Sequence, residues 1–306
     1  MKKRGTEPSK TKSIVLTIVA VLVFVFIILP LAMSLFDGSK VGNVASIPIE
    51  GPITGDGGNY LGSPTASSVE IVAFIKEAGT DPQIKVILVE INSPGGSAVA
   101  SDEIASALKK TEKPVVALIR EVGASGGYWI ASAADQIIAN KMSITGSIGV
   151  ISSYLEFSGL MEEYGVGYER LVAGKYKDMG VPFRELQDEE RAILQTKLNK
   201  IHGFFIEEIA ANRDLPVEKV KGIATGEFYL GIEALNLGLV DQVGDKDTAE
   251  QFMKDAYGLK EIDYVVYERE LGFFDALASV FAEFSFRIGE GLGSIFAEQQ
   301  QKVMLI

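Results

Sequence analysis

The 306-residue sequence contains no cysteine and a single histidine, His202. The first absence excludes disulfide scaffolds, thiolate zinc sites, iron–sulfur clusters and cysteine nucleophiles. The second excludes multi-histidine metal centres and forces any Ser-His-Asp triad through one ring. Basic residues are outnumbered, 29 Lys and Arg against 41 Asp and Glu, and the net charge of −12 argues against a general nucleic-acid binder. No G-x-x-x-x-G-K-[ST] phosphate loop occurs, so ATP use would need a partner. No metal or organic cofactor is expected. Apolar residues, by contrast, are plentiful: 47% of the chain, with a mean hydropathy of +0.21. That is too apolar for disorder and leans toward a membrane component.

Ile14 to Phe36 runs for 23 residues without a charge. As a helix it would be about 34 Å long, enough for a hydrocarbon core of about 30 Å. A cleaved signal peptide has a shorter apolar region, about 7–15 residues, and a small-x-small exit; here Leu35, Phe36 and Asp37 occupy that place. An uncleaved transmembrane helix over 14–36 is therefore expected. Lys2, Lys3, Arg4, Lys10 and Lys12 precede it, so the positive-inside bias puts residues 1–13 in the cytoplasm and the remaining, acidic body outside. The expected protein is thus a single-pass component of the cell membrane.

Residues 37–65 are rich in Gly, Ser and Pro and read as a linker with a first strand, Val44–Ile49. Helices and strands then alternate. Strands are predicted at Val86–Ile91, Val115–Ile119, Ile137–Ala139, Ile148–Ser152, Tyr168–Val172 and Ile262–Tyr267. Helices are predicted at Val69–Ala78, Ser97–Lys110 with Ser97 as a cap, Gly126–Ala134, Phe157–Tyr164, Asp188–Asn212, Leu230–Leu237 and Thr248–Tyr257. The long one carries Leu194, Leu198, Ile201, Phe205 and Ile209 on one stripe. Such alternation means an α/β fold with a mostly parallel sheet.

Two Gly-rich turns each end a predicted buried strand and open a helix: Asn92-Ser93-Pro94-Gly95-Gly96-Ser97 and Gly123-Ala124-Ser125-Gly126-Gly127-Tyr128. Turns of this kind leave backbone N–H groups free where the helix dipole favours negative charge, which suits a phosphate or the oxyanion of acyl transfer. Ser125 lies among small residues where a helix begins, so its hydroxyl is placed next to donors. A serine needs a base. His202 sits mid-helix beside the apolar stripe and reads as a packing or surface residue. The remaining candidate is a lysine, and at an ordinary pKa of 10.4 only about one molecule in 2,500 is neutral at pH 7. Desolvation has to lower that pKa by about 2–3 units to make a base. Spacing alone does not choose among the lysines.

The three ordered segments Asn92-Ser93-Pro94-Gly95-Gly96, Ala124-Ser125-Gly126-Gly127-Tyr128-Trp129-Ile130 and Thr145-Gly146-Ser147-Ile148-Gly149-Val150 closely resemble those of the signal peptide peptidase A family, serine peptidase family S49. The likeness runs from about Val44 to Tyr267. It implies Ser125 as the nucleophile. It also implies a general-base lysine in a G-x-x-K-D segment, which matches Gly174-Lys175-Tyr176-Lys177-Asp178 and gives Lys177, with Lys175 as a nearby decoy. By the same resemblance Ser147 orients the lysine, and the amides of Gly96 and Gly126 form the oxyanion hole. The implied fold is similar to that of the caseinolytic (Clp) protease and the crotonases, a spiral of ββα units. The implied assembly is a homo-oligomer whose neighbouring subunits share sites. The implied activity is a membrane-anchored serine endopeptidase acting on residual signal peptides and other unstructured apolar peptides. Residues 66–270 would form the peptidase domain. Two alternatives stay open, a non-proteolytic crotonase-like acyl-CoA enzyme and an inert membrane scaffold. Residues 271–306 form an amphipathic tail without a family counterpart. Its polar face is acidic and its end, Val303-Met304-Leu305-Ile306, is substrate-like, so it is expected to pack on the protein and restrain the site.

Overall fold

A computed structural model describes residues 10–28, 41–60 and 63–269. Near the N-terminus, helix α1 (Lys10–Val23) passes into a π-helical turn, Phe24–Ile28. Among the described residues no helix is long and apolar enough to cross a membrane. The expected span continues to Phe36, beyond the described residues, and the expected amphipathic tail from 271 lies wholly outside them.

Residues 41–268 form one compact α/β unit. Its strands are β1 (Val44–Glu50), β2 (Ile53–Thr54), β3 (Gly58–Tyr60), β4 (Ser63–Ser67), β5 (Val86–Ser93), β6 (Val115–Ala124), β7 (Gln136–Ala139), β8 (Ile144–Gly146), β9 (Phe228–Leu230), β10 (Gln242–Val243) and β11 (Tyr264–Val266). Its helices are α2 (Ser68–Thr80), α3 (Ala98–Lys110), α4 (Gly126–Ser132), α5 (Ser158–Glu163), α6 (Asp188–Asn212), α7 (Val217–Ile223), α8 (Gly231–Leu237) and α9 (Lys246–Tyr257). The main sheet runs β10-β7-β6-β5-β1-β11, all parallel. Beyond Ile119 strand β6 changes partner: its first half pairs with β7, and Val122–Ala124 pairs with β8, which carries β9 antiparallel on its far edge.

Parallel strands covered on both faces read as continuous apolar runs, and β1, β5 and β6 do so. Ile47, Ile49, Val89, Ile91, Ala117 and Ile119 pack under α2, α3, α4 and α6; Val86, Leu88, Val116 and Leu118 pack under Ala249 and Met253 of α9. Ser97 caps α3 as expected, accepting the Ala100 N–H.

The structure departs from the sequence reading in several places, among them the short strands β8, β9 and β10 and helix α7, which the sequence reading did not include. The stretch 41–67 holds β2 and β4, a parallel pair too short to show any periodicity. The strands expected at Ile148–Ser152 and Tyr168–Val172 do not form, because β8 already has a neighbour on each side and strand propensity needs an open edge. Ile148 is instead buried in the core without pairing, and from Ile151 the chain enters an exposed arm, 151–187, in which the only helix is α5. The stripe on α6 is buried only in its second half, at Phe205, Ile206, Ile209 and Ala210.

Candidate active site

The two Gly-rich turns meet at the carboxyl ends of β5 and β6. Each is fixed by its own side chains. Asn92 Oδ1 accepts the Val122 N–H at 3.2 Å, bridging the point where the β5–β6 register shifts. Ser93 Oγ donates to the Gly51 carbonyl at 2.6 Å and accepts the Gly95 N–H at 3.1 Å. Strand β2 then closes on the turn: Ile53 N–H donates to Gly95 O at 2.9 Å and Ser97 N–H to Ile53 O at 2.8 Å. A side chain at Gly96 would stand 2.1 Å from Ile53 O, so only glycine fits.

Ser125 follows β6 directly and caps α4 with φ 52° and ψ −122°. A non-glycine residue at positive φ costs of order 1–2 kcal/mol and persists only where its surroundings enforce it. Here the Ser125 N–H donates to Gly146 O at 2.8 Å and its carbonyl accepts the Trp129 N–H at 2.9 Å. Helix α4 itself is buried throughout. The Tyr128 hydroxyl donates to Leu239 O at 2.8 Å, and the Trp129 ring stacks on Phe205 of α6 at 4.7 Å. Burial holds the Tyr128 hydroxyl far above its ordinary pKa, so it stays a donor. The Ser125 hydroxyl makes no capping bond and is half-buried. The strand–turn–helix geometry therefore presents Oγ outward, as a nucleophile elbow does.

The turns touch through glycine. A Cβ on Gly95 would lie 2.6 Å from the Gly126 nitrogen and 2.9 Å from Ser125 Cβ, and one on Gly126 would lie 3.3 Å from the Gly96 nitrogen. Among the described residues the N–H groups of Gly96 and Gly126 donate to no acceptor. Two free amides thus flank one hydroxyl.

Ser147 is also strained, at φ 48°. It directly follows the residue that holds Ser125. Its N–H donates to Glu227 O at 2.9 Å and its Oγ to Gly226 O at 3.2 Å, so the turn before β9 fixes it. Lys177 lies on the arm, exposed, with its backbone N–H on Gly174 O at 3.0 Å. Its ammonium has no hydrogen-bond or ion-pair partner among the described residues, and within one chain it is not hydrogen-bonded to Ser125. Lys175 differs: it pairs with Glu189 at 2.5 Å, and that carboxylate, with Tyr176, pushes its pKa up to about 12. His202 Nε2 bonds Ile148 O at 3.2 Å, a satisfied packing contact. A cavity of about 630 Å³ beside Arg120, Ser143 and Lys246 contains none of these groups. Asn92, Ser93 and Ile53 are supports that the sequence reading left without a role; the polar pair heading the P-G-G turn was the available signal.

A hydroxyl in a strained strand–helix turn beside two free amides fits the class of serine hydrolases. Known proteins agree. The family model of peptidase family S49 matches residues 107–260. A candidate protease of Methanocaldococcus jannaschii is 33% identical over 228 residues, 73% of this chain and 72% of the relative. A candidate signal peptide peptidase of Enterococcus faecium is 31% identical over 241 residues, 78% and 70% of the two chains. Protease 4 of Haemophilus influenzae is 33% identical over 209 residues, 67% of this chain but 33% of that longer protein. The chain belongs to peptidase family S49 and is a serine peptidase.

Proposed function

We propose that the protein is a membrane-anchored endopeptidase in which Ser125 is the nucleophile and Lys177 the general base. Neutral Lys177 Nζ takes the Ser125 hydroxyl proton as Oγ attacks the peptide carbonyl. The amides of Gly96 and Gly126 hold the resulting oxyanion. The lysine ammonium returns its proton to the leaving amine, and water, deprotonated in turn by Lys177, hydrolyses the acyl-enzyme. Ser147 orients the lysine. The observation that carries this reading is the free Ser125 hydroxyl between two free amides. Support for Lys177 over Lys175 is electrostatic: a counter-ion raises a lysine's pKa and disables it as a base, and Lys175 has one while Lys177 does not.

An exposed lysine is not a base, so the site needs a cover. The arm that bears Lys177 also exposes Ile151 (89%) and Leu171 (90%), with Leu155, Leu160 and Tyr164. Apolar surface of this extent marks an interaction site. A second copy of the chain seated there would desolvate Lys177 and bring it to a neighbour's Ser125, giving a homo-oligomer with shared sites. The fold is read as the Clp protease/crotonase-like spiral, with the anchor over 14–36 and the body extracytoplasmic. The name of the Enterococcus relative points to signal peptides as substrates. A crotonase-like acyl-CoA enzyme is the second reading, and a fluorophosphonate probe separates the two. The probe should label wild type and not Ser125→Ala. Mixed Ser125→Ala and Lys177→Ala subunits should regain peptidase activity that neither has alone. An active Ser125→Ala protein sinks the nucleophile, and absence of rescue on mixing sinks the shared site.

A further inference from the structure

The turn that bears Lys177 is tied to the start of α6 from both sides. Asp178 accepts from Arg170 Nε at 2.5 Å and Nη2 at 2.7 Å, and from Arg184 Nε and Nη2, each at 3.2 Å. Arg184 Nη2 also donates to the Asp178 backbone carbonyl at 3.3 Å. The same guanidinium grips Glu190 with two bonds of 2.8 and 2.6 Å. Glu190 is 5% exposed and accepts the Gln187 N–H that opens α6. On the other side Lys175 and Tyr176 both reach Glu189. Residues 175, 176 and 178 are therefore all fixed to the first turn of α6, whereas the Lys177 side chain between them has no partner among the described residues.

Helix α6 carries the constraint onward, since Phe205 stacks on Trp129 of the helix that begins after Ser125. Paired guanidinium–carboxylate forks fix orientation as well as distance. Arg170 and Arg184 hold the Asp178 carboxyl well below its ordinary range, and Arg184 lowers that of Glu190. The links thus stay ionised wherever a lysine is able to serve as a base.

We propose that Arg184, with Asp178, Arg170 and Glu190, is a positioning device for the general base: it locks the backbone at Lys177 to α6 so that the ammonium is presented at one place. The proposal rests on Lys177 being the base. A merely stabilising network would alter Tm and assembly together with activity, whereas a positioning network acts on turnover through Lys177.

The test uses the full chain, a fluorogenic peptide and a fluorophosphonate probe. The variants are Asp178→Asn, Arg184→Gln and Arg184→Lys, each also in the Lys177→Ala background. Asp178→Asn leaves the Arg184–Glu190 pair intact, which protects the fold if Arg184→Gln disturbs it. Because a displacement of about 1 Å costs about 100-fold, kcat and probe-labelling rate should fall about 10- to 100-fold in Asp178→Asn and Arg184→Gln, with KM within about twofold. Arg184→Lys should recover only part of the loss. In Lys177→Ala neither substitution should lower the residual rate further. Wild-type kcat in Asp178→Asn alongside an inactive Lys177→Ala overturns the positioning role and leaves the base standing. An active Lys177→Ala overturns the base and the positioning role with it. A further loss in the Lys177→Ala background, or losses that track Tm or assembly in both variants, overturns positioning in favour of a structural role.

Discussion

Gly95→Ala adds one methyl group at the place where the two active-site turns meet. Gly95 has φ +96°, and the new Cβ would stand 2.6 Å from the Gly126 nitrogen, 2.9 Å from Ala124 O and 2.9 Å from Ser125 Cβ. Ordinary separations begin near 3.5 Å, so the turns have to part by about 0.5–1 Å. None of the three neighbours is a flexible side-chain end. Positive φ and overpacking together should cost about 2–4 kcal/mol of stability. The larger effect falls on catalysis, because the methyl pushes on the nucleophile and on one oxyanion donor at once. Loss of one donor costs about 100- to 1,000-fold in kcat, and a misplaced nucleophile adds to it. The assay is kcat and KM on a fluorogenic peptide, the fluorophosphonate labelling rate of Ser125, and Tm from thermal unfolding. The prediction is a kcat at least about 100-fold down in a protein that still folds. Activity within about threefold of wild type in a protein of unchanged Tm would refute the contact between these turns as the core of the site.

Lys175→Gln should cost turnover far less than Lys177→Ala, because the Lys175 ammonium is engaged by Glu189 and Tyr176 still ties the turn to that carboxylate; a loss equal to that of Lys177→Ala would exchange the two roles. His202→Gln should keep activity and lose about 1 kcal/mol of stability with the Ile148 contact, and an inactive but folded variant would reopen the histidine-based mechanism. The third concerns pH. Half-burial pushes the Glu90 carboxyl up, but bonds from Lys246 and Ser46 outweigh it and hold the group below its ordinary value near 4.5. A folded pKa below the unfolded one gives stability that is present above the unfolded value and lost as pH falls through the folded value. Lys246→Gln should therefore destabilise by about 1–2 kcal/mol at pH 7 and by much less under acid conditions below pH 4; a penalty independent of pH would mean that packing against Tyr264, over which Lys246 sits at 4.5 Å, dominates.

Much of the scaffold was legible because burial writes itself into residue type. The β-branched runs of β5 and β6 announce strands covered on both faces, and α6 runs over Asp188–Asn212 just as its periodicity predicts. The last five residues of β6 were not legible: Arg120 and Glu121 are exposed and break the apolar run. Tyr168–Val172 failed for the opposite reason, since its strand-like composition lies exposed on the arm, and Ile148 is apolar because it fills the core rather than because it pairs in a sheet. In the candidate site, motif order singled out Ser125, Ser147 and the glycines, which the fold brings onto neighbouring turns. The supporting contacts were hidden because each joins residues far apart in the chain: Ile53 with Gly95 and Ser97, Asn92 with Val122, and Ser147 with Gly226.

Strand β11 has a consequence for the order in which the molecule is made. It pairs in parallel with β1 through Val44–Tyr264 and its neighbours, and Asn43 Oδ1 accepts the Asp263 N–H across 220 residues of chain. Strand β1 is therefore synthesised about 220 residues before the strand that covers its outer edge. Contacts of such separation carry a high loop-closure cost and form late. Throughout synthesis the β1 edge stays open, a template on which another extended chain can add. A nascent copy thus offers a strand-pairing edge that the folded copy has closed with β11, and that edge stays open until Val266 arrives.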